Sequence, residues 1–466
     1  MEREKLGSRL GFILLSAGCA IGCGNVWKFP YMVGQYGGAL FVLIYLFFII
    51  AMGIPLMAAE FAVGRASRKS PARSFNVLEK PGQKWHFHGY SAITGNYLLM
   101  MFYTVVTGWI LHYCYLTATG KLTEATATSV KDTFGGMVSD PVTMLIWTLI
   151  VVVFGFAICA IGLKNGVERV TKIMMIALLV LIVILAVNSI TLKGAAEGLK
   201  FYLVPDVSKI KEHGLGTVVV GAMNQAFFTL SIGIGSMAIF GSYIGKERSL
   251  PGESIRIAAL DTFVAFVAGL IIFPAASAYG VDAGAGPSLI FETLPVIFSN
   301  MAGGRIWGTL FFIFMAFAAL STVIAVFENI IACMCDFTGW SRKKSALING
   351  IAMAVLILPC ILGFNLLSGI TPFGAGSNLM DLEDFAVSNV ILPLGALIYL
   401  LFCVSKWGWG WNNFIKEVNE GKGTKFGNWI RPYLTYVLPV VIVIVFLIGV
   451  IDKFFYSYPY LQSRRA

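Results

Sequence analysis

The sequence predicts an all-α polytopic membrane protein of about eleven transmembrane helices, with helices 1 and 6 unwound. Three observations carry that prediction. Of 466 residues, 58% are hydrophobic and 12% charged, and the mean hydropathy is +0.81. Runs of about twenty apolar residues, enough to cross a roughly 30 Å hydrocarbon core, recur from end to end. Two of these runs hold helix breakers where exposed backbone is most costly: "GCAIGCGNVWKFP" at 18–30 and "NQAFFTLSIGIGS" at 224–236. Only helices and closed barrels satisfy their own backbone in lipid, and broken helices persist there only where they line a cavity or lie buried in protein.

Spans 1 to 11 are expected near 10–32, 37–62, 89–117, 142–161, 168–190, 217–243, 256–279, 304–334, 347–366, 377–403 and 433–451. Span 1 follows Arg3, Lys5 and Arg9 and is broken at Gly22–Asn25. Span 2 is followed by Arg65, Arg68, Lys69, Arg73, Lys80 and Lys84. Lys164, Arg169 and Lys172 accompany the turn into span 5, Lys246, Arg248 and Arg256 that into span 7, and Arg342, Lys343 and Lys344 that into span 9. The opposite loops are sparser, and 366–377 has no Lys or Arg. The positive-inside rule then places the N-terminus in the cytoplasm and the tail "LQSRRA" outside; the membrane expected to hold the chain is the plasma (inner) membrane.

Span 6 is broken at Gly233 and Gly235, just after Thr229 and Ser231. Spans 1 and 6 each open a set of five, which fits an inverted repeat: 1–200 as the first arm, 201–405 as the second, and 406–466 for a cytoplasmic loop, span 11 and a short outer tail. Interrupted helices at matching places in two halves point to a transporter's binding site. Glycines can also simply allow close helix packing; two breaks in register, each with polar side chains, favour the binding-site reading.

Other function classes fall away on chemistry. The net charge of +10 sorts by membrane side, so it does not point to nucleic acid. The run 10–18 ahead of Cys19 is not a lipoprotein signal, because Ser16 stands where a bulky aliphatic belongs. The eight cysteines (Cys19, Cys23, Cys114, Cys159, Cys333, Cys335, Cys360, Cys403) lie in or near spans, which argues against a disulfide framework. Cys333 and Cys335 fall short of the four ligands a structural metal needs. An enzyme would need a paired nucleophile and base, whereas Asp261 stands alone in its span and His86, His88 and His213 lie in loops.

Asp261 is the most informative single residue. A carboxylate at mid-membrane costs about 2.5–3.5 kcal/mol on insertion scales and marks ion pathways. "AALST" at 318–322 places two hydroxyls in an apolar span, either for a cation or for bonding back to the preceding turn. The broken end of span 1 exposes the N–H groups of Cys23 and Gly24, and the positive end of a half-helix favours a carboxylate.

"GNVWKFPY" resembles the helix-1 signature of the sodium:neurotransmitter symporter family, and "GSRLGFILLSAG", "YGGALF", "GIPLMAAEFAVGR", "FFTLS" and "TLPVIFS" resemble further family segments. The resemblance runs from about residue 1 to 451 and is to prokaryotic members, within the subgroup that carries hydrophobic amino acids. It implies a LeuT-type fold with a 5+5 inverted repeat. It also implies Na⁺-coupled symport of a neutral, hydrophobic or aromatic L-amino acid by alternating access. The partners are then that small substrate and the bilayer, with no nucleic acid; no oligomeric state is implied.

The resemblance assigns residues as follows. A first Na⁺ would meet the Ala20 carbonyl, Asn25, Thr229 and Asp261; a second, the carbonyls of Gly18, Ile21 and Ala318 with the hydroxyls of Ser321 and Thr322. The substrate carboxylate would meet Tyr103 and the amides of Cys23 and Gly24. Its ammonium would meet carbonyls of Ala20, Phe228, Thr229 and Ser231. Cys19, Leu99, Phe102, Ser231, Ile234 and Val326 would form an uncharged side-chain pocket, with Thr322 nearby. Gly22 stands where monoamine carriers hold an Asp, which favours an α-amino acid. Asp261, where the family commonly has Asn, and Ala265, where some members bind chloride through Ser, together imply chloride independence. Tyr103 and Phe228 would form an outer lid, with Lys28 and Asp384 paired outside it, through water or directly; Arg3, Tyr243 and Asp336 would form the inner gate. The chain departs from the pattern at Lys28 (usually Arg), Leu6 (typically Trp) and Ile176, where a Gly-x9-Pro motif would place proline, so inward release is expected to use another hinge. Proton coupling on the same fold is the nearest rival, against which Ser321 and Thr322 argue.

Overall fold

Nine helices among the described residues are long and apolar enough to cross a membrane: Ala39–Ser67, Trp85–Ala118, Pro141–Ile161, Leu163–Ile190, Leu250–Ala278, Gly304–Thr338, Arg342–Leu362, Leu379–Val404 and Asn428–Ile451. The structure, a computed structural model, describes residues 4–123, 125–206, 214–280, 289–451 and 453–454. Expected span 1 is a bent pair, Arg9–Ala20 and Gly24–Tyr36, turned by 54°. Expected span 6 is two short helices, Leu215–Thr229 and Ser236–Ser242, on either side of a non-helical link. Each of the eleven expected spans thus has a helical counterpart, and the two expected breaks are the two observed ones. The loop helices Pro71–Leu78, Ala127–Ser139, Ala195–Leu203 and Trp411–Val418 were not expected.

Burial separates an inner set of spans from an outer shell. Of the apolar stretch of span 8, 78% is buried, and of spans 3 and 7, 67%, against 28% for span 11. Spans 4, 5, 9 and 11 turn Val153, Ile173, Leu347 and Tyr436 outward, as helices in contact with lipid do. Between helices in lipid, small residues permit the close approach that holds a bundle together. Spans 2 and 6 show this: a Cβ on Gly64 would lie 1.8 Å from the Ala238 carbonyl oxygen, and one on Gly241 would lie 2.5 Å from that of Phe61.

Helix ends inside the membrane leave N–H and C=O groups that something must satisfy. In span 6 that partner is Glu60 of span 2, a buried carboxylate that accepts from the amides of Gly233 and, at 3.2 Å, Met237. Gly233 sits at φ +110°, and a Cβ there would meet the Leu392 carbonyl oxygen at 2.1 Å, so glycine is required twice over. Ser231 holds φ +50°, a strained conformation for a residue with a side chain, secured by its hydroxyl donating to the Cys19 carbonyl at 3.2 Å. Span 5 begins with a π-helical turn, Leu163–Glu168, and then runs unbroken through Ile176 to Ile190.

Candidate functional site

The break in span 1 faces span 8. Helix Arg9–Ala20 ends with carbonyls that have no partner in their own helix. The Ser321 hydroxyl lies 3.0 Å from the Gly18 carbonyl and 2.9 Å from that of Ala318. The Thr322 hydroxyl lies 3.1 Å from Gly18 O, 3.3 Å from Ile21 O and 3.3 Å from Ala318 O. Back-bonding to Ala318 and bridging to span 1 therefore coexist. Five buried oxygens share two hydroxyl protons here, and that surplus of lone pairs suits a hard cation.

A second polar cluster joins spans 1, 6 and 7. Asn25 and Asp261 are fully buried, and the Asn25 amide donates to Asp261 Oδ1 at 2.8 Å and to the Asp261 carbonyl at 3.0 Å. The Asn25 side-chain oxygen accepts from the Gly22 amide at 3.1 Å, bracing the break from within. Thr229 donates to the same carboxylate, 3.1 Å from Oδ2. Gln225 donates to the Gly24 carbonyl at 3.0 Å. Sequence reasoning missed Gln225 and Glu60, although an intramembrane carboxylate such as Glu60 is itself a signal. Glu328 of span 8 is a third buried carboxylate of this kind.

Between the clusters lies a cavity of about 20 Å³, room for roughly one water. Cys19, Ala20, Gly22, Gly24, Leu99, Tyr103, Phe228, Ser231, Ile234, Thr322 and Leu392 line it. The Cys23 amide donates to the Tyr103 hydroxyl at 3.0 Å, joining the two groups expected to meet one carboxylate. Leu99 and Tyr103, one helical turn apart, share the face of span 3 that lines this cavity. Phe102 and Val326, expected in the pocket, are buried but do not line it, and Leu392 of span 10 does so instead.

Lys28 does not pair directly with Asp384: its ammonium lies 4.0 Å from the centre of the Phe228 ring, and Asp384 accepts from Ser388 at 2.7 Å. A flexible ammonium gains a cation–π contact there, while the carboxylate is satisfied within its own helix. Arg3 lies outside the described residues. Asp336 accepts from the Ser70 amide at 2.8 Å, and the Tyr243 hydroxyl donates to Glu328 at 2.5 Å. Glu328 also takes the Arg342 guanidinium, whose Nε donates to the Cys159 carbonyl at 2.6 Å.

Further bonds tie the N-terminal segment across this face. Glu168 accepts from the Gly7 amide at 2.6 Å and the Ser8 hydroxyl at 2.9 Å, and Arg9 pairs with Glu253 at 2.7 Å. Leu6, which stands where the family typically has tryptophan, still packs partly against the core. Lys246 bridges Glu417 at 3.3 Å and Glu420 at 2.9 Å, and its hydrogen bond holds the Glu420 carboxyl below its ordinary range.

Comparison with known proteins agrees with this geometry. A family model described as the sodium:neurotransmitter symporter family matches residues 3–134 and 135–462. An uncharacterized sodium-dependent transporter of Bacillus subtilis is 34% identical, with 96% of this chain and 98% of the relative covered. Another, from Methanocaldococcus jannaschii, is 32% identical, with 96% and 90% covered. Among solved structures, MhsT in complex with L-phenylalanine superposes with a TM-score of 0.86 at 40% identity, covering 96% of this chain and all of that one. The chain belongs to the sodium:neurotransmitter symporter family and is a multi-pass membrane transporter, not an enzyme.

Proposed function

We propose that the protein carries a neutral, hydrophobic or aromatic L-amino acid by Na⁺-coupled symport with alternating access, and that it needs no chloride. The observation that carries the coupling is the group of oxygens from Gly18, Ile21, Ala318, Ser321 and Thr322, which a broken helix and an intact one bring within hydrogen-bond distance of each other. A first sodium is proposed at Ala20, Asn25, Thr229 and Asp261, where the Asp261 carboxylate supplies the negative charge that a desolvated cation requires. Each sodium then binds both arms of the proposed repeat, 1–200 and 201–405. The N-terminus is proposed to be cytoplasmic, in the plasma (inner) membrane. The Arg9–Glu253, Glu168 and Arg342–Glu328 contacts would then keep the inner side shut while the site is loaded from outside.

Absence of charge in the cavity lining supports a neutral substrate side chain, since an unpaired buried charge is costly. The amides of Cys23 and Gly24 with the Tyr103 hydroxyl are the proposed carboxylate contacts, and MhsT, which holds L-phenylalanine, supports the amino-acid reading. Carbonyls of Ala20, Phe228, Thr229 and Ser231 are the proposed ammonium contacts. The deciding experiment is uptake of a panel of labelled L-amino acids into proteoliposomes. Accumulation of hydrophobic members should require a Na⁺ gradient, and sodium and substrate should tighten each other's binding reciprocally. Equal affinity in Na⁺ and choline buffers would overturn the reading.

Tyr103→Phe tests the carboxylate contact. It removes one hydrogen bond to a charged group, worth about 1.5–3 kcal/mol, so substrate affinity should fall about tenfold or more. The matching decarboxylated amine should bind wild type and variant equally weakly, which titration of both ligands checks.

A further inference from the structure

Leu392 is the sole wall residue of the cavity that comes from span 10, and the resemblance does not assign that span to the pocket. Its position is dictated by backbone contact. A Cβ on Gly233 would lie 2.1 Å from the Leu392 carbonyl oxygen, and one on Gly395 would lie 2.0 Å from the Gly233 carbonyl oxygen. Span 10 therefore rests directly on the break in span 6, backbone against backbone. The neighbouring Ile391 is equally confined, because a Cβ on Gly95 of span 3 would lie 2.7 Å from Ile391 Cγ2 and 2.9 Å from Ile234 Cγ2. Gly95 and Leu99 are one turn apart on span 3, so Leu99, Ile234 and Leu392 converge on one apolar wall.

These wall residues do not yield alike. Ile234 is β-branched and stiff at its first torsion, in a link held by Glu60 and by two glycines at positive φ. Leu99 sits mid-way along a regular helix. Leu392 branches one carbon later and follows the π-helical turn Ala386–Ile391; Pro393, next in sequence, has no N–H to give the helical ladder. The cavity has room for roughly one water, so a bulky side chain enters only if part of this wall moves.

We propose that Leu392 determines substrate specificity by setting the largest side chain the pocket admits. This rests on the amino-acid reading above, and the test separates the two. Binding of L-leucine and L-tryptophan is measured in saturating Na⁺ for wild type, Leu392→Val, Leu392→Phe and Gly95→Ala. The tryptophan-to-leucine affinity ratio should rise about tenfold in Leu392→Val and fall about tenfold in Leu392→Phe, the worth of one or two methylenes in an apolar pocket. Gly95→Ala, which presses Ile391 and Ile234 inward, should lower the ratio without touching Leu392. The ratio is internal to each variant, so a loss of folded protein does not move it. Unchanged ratios in both Leu392 variants, with wild type binding both ligands, overturn the role of Leu392 whatever Gly95→Ala does. A wild type that binds neither ligand overturns the amino-acid reading instead.

Discussion

Asp261→Asn should lower sodium-dependent uptake by a hundredfold or more in chloride-free medium. The Asp261 carboxylate accepts from Asn25 at 2.8 Å and from Thr229 at 3.1 Å, both fully enclosed. Hydrogen bonds to a charged group are worth about 1.5–3 kcal/mol each, so their weakening alone reaches about 3 kcal/mol, or two decades in affinity. Loss of the negative charge adds to this, because a cation out of water needs an anion beside it. Wild-type uptake should be the same in chloride and in gluconate at fixed sodium. Asp261→Asn combined with Ala265→Ser should recover part of the activity, and only when chloride is present. A wild type that fails in gluconate, or an Asp261→Asn variant that transports normally without halide, would refute charge substitution at this position.

Gly22→Ala should be as damaging for a steric reason. A Cβ there would lie 2.3 Å from the Tyr103 hydroxyl and 2.7 Å from the Thr322 hydroxyl, and the backbone on which it sits is the break itself. Neither neighbour can retreat without losing a contact: Tyr103 holds the Cys23 amide, and Thr322 belongs to the oxygen cluster at Gly18 and Ile21. Overpacking of this kind costs about 3 kcal/mol at the upper end of its usual range, and more where side chains cannot repack. Substrate affinity and sodium dependence should fall together, by over a hundredfold, while the detergent-solubilised protein remains monodisperse. Tyr103→Phe in the same chain removes the closest clash and should restore a measurable fraction of sodium-stimulated binding. No recovery in the double variant, with Tyr103→Phe alone still active, would show that Gly22 matters for some reason other than space.

Membrane architecture was legible in the sequence because the bilayer acts on composition. Apolar length marks a span whatever it packs against, and glycines with polar neighbours mark a break whatever fills it. Gly22, Asn25, Thr229, Asp261, Ser321 and Thr322 could be picked out for the same reason: each is expensive or unusual in lipid, so its presence alone calls for an explanation. The resemblance of "GNVWKFPY" and its companions then sorted those residues into sites. Other choices were open until distant segments met. Lys28 could face Asp384 or Phe228, and which of the two it meets depends on where spans 6 and 10 stand. Glu60 satisfies amides some 170 positions away, and a search along the chain gives no distance between them.

Leu392 looks like any leucine in an apolar run, as do Phe102 and Val326, which were expected to face the cavity. Hydropathy states that a side chain is buried but not against what. The facing surface is selected by where two backbones can approach, and at Gly233 and Gly395 that approach is closer than any residue with a Cβ allows. Composition and motif therefore determined the membrane class, the breaks and the candidate ion-binding residues. Tertiary packing alone decided which wall closes the cavity and which groups Lys28 and Asp384 meet, because those contacts join residues whose sequence separation carries no information about their distance.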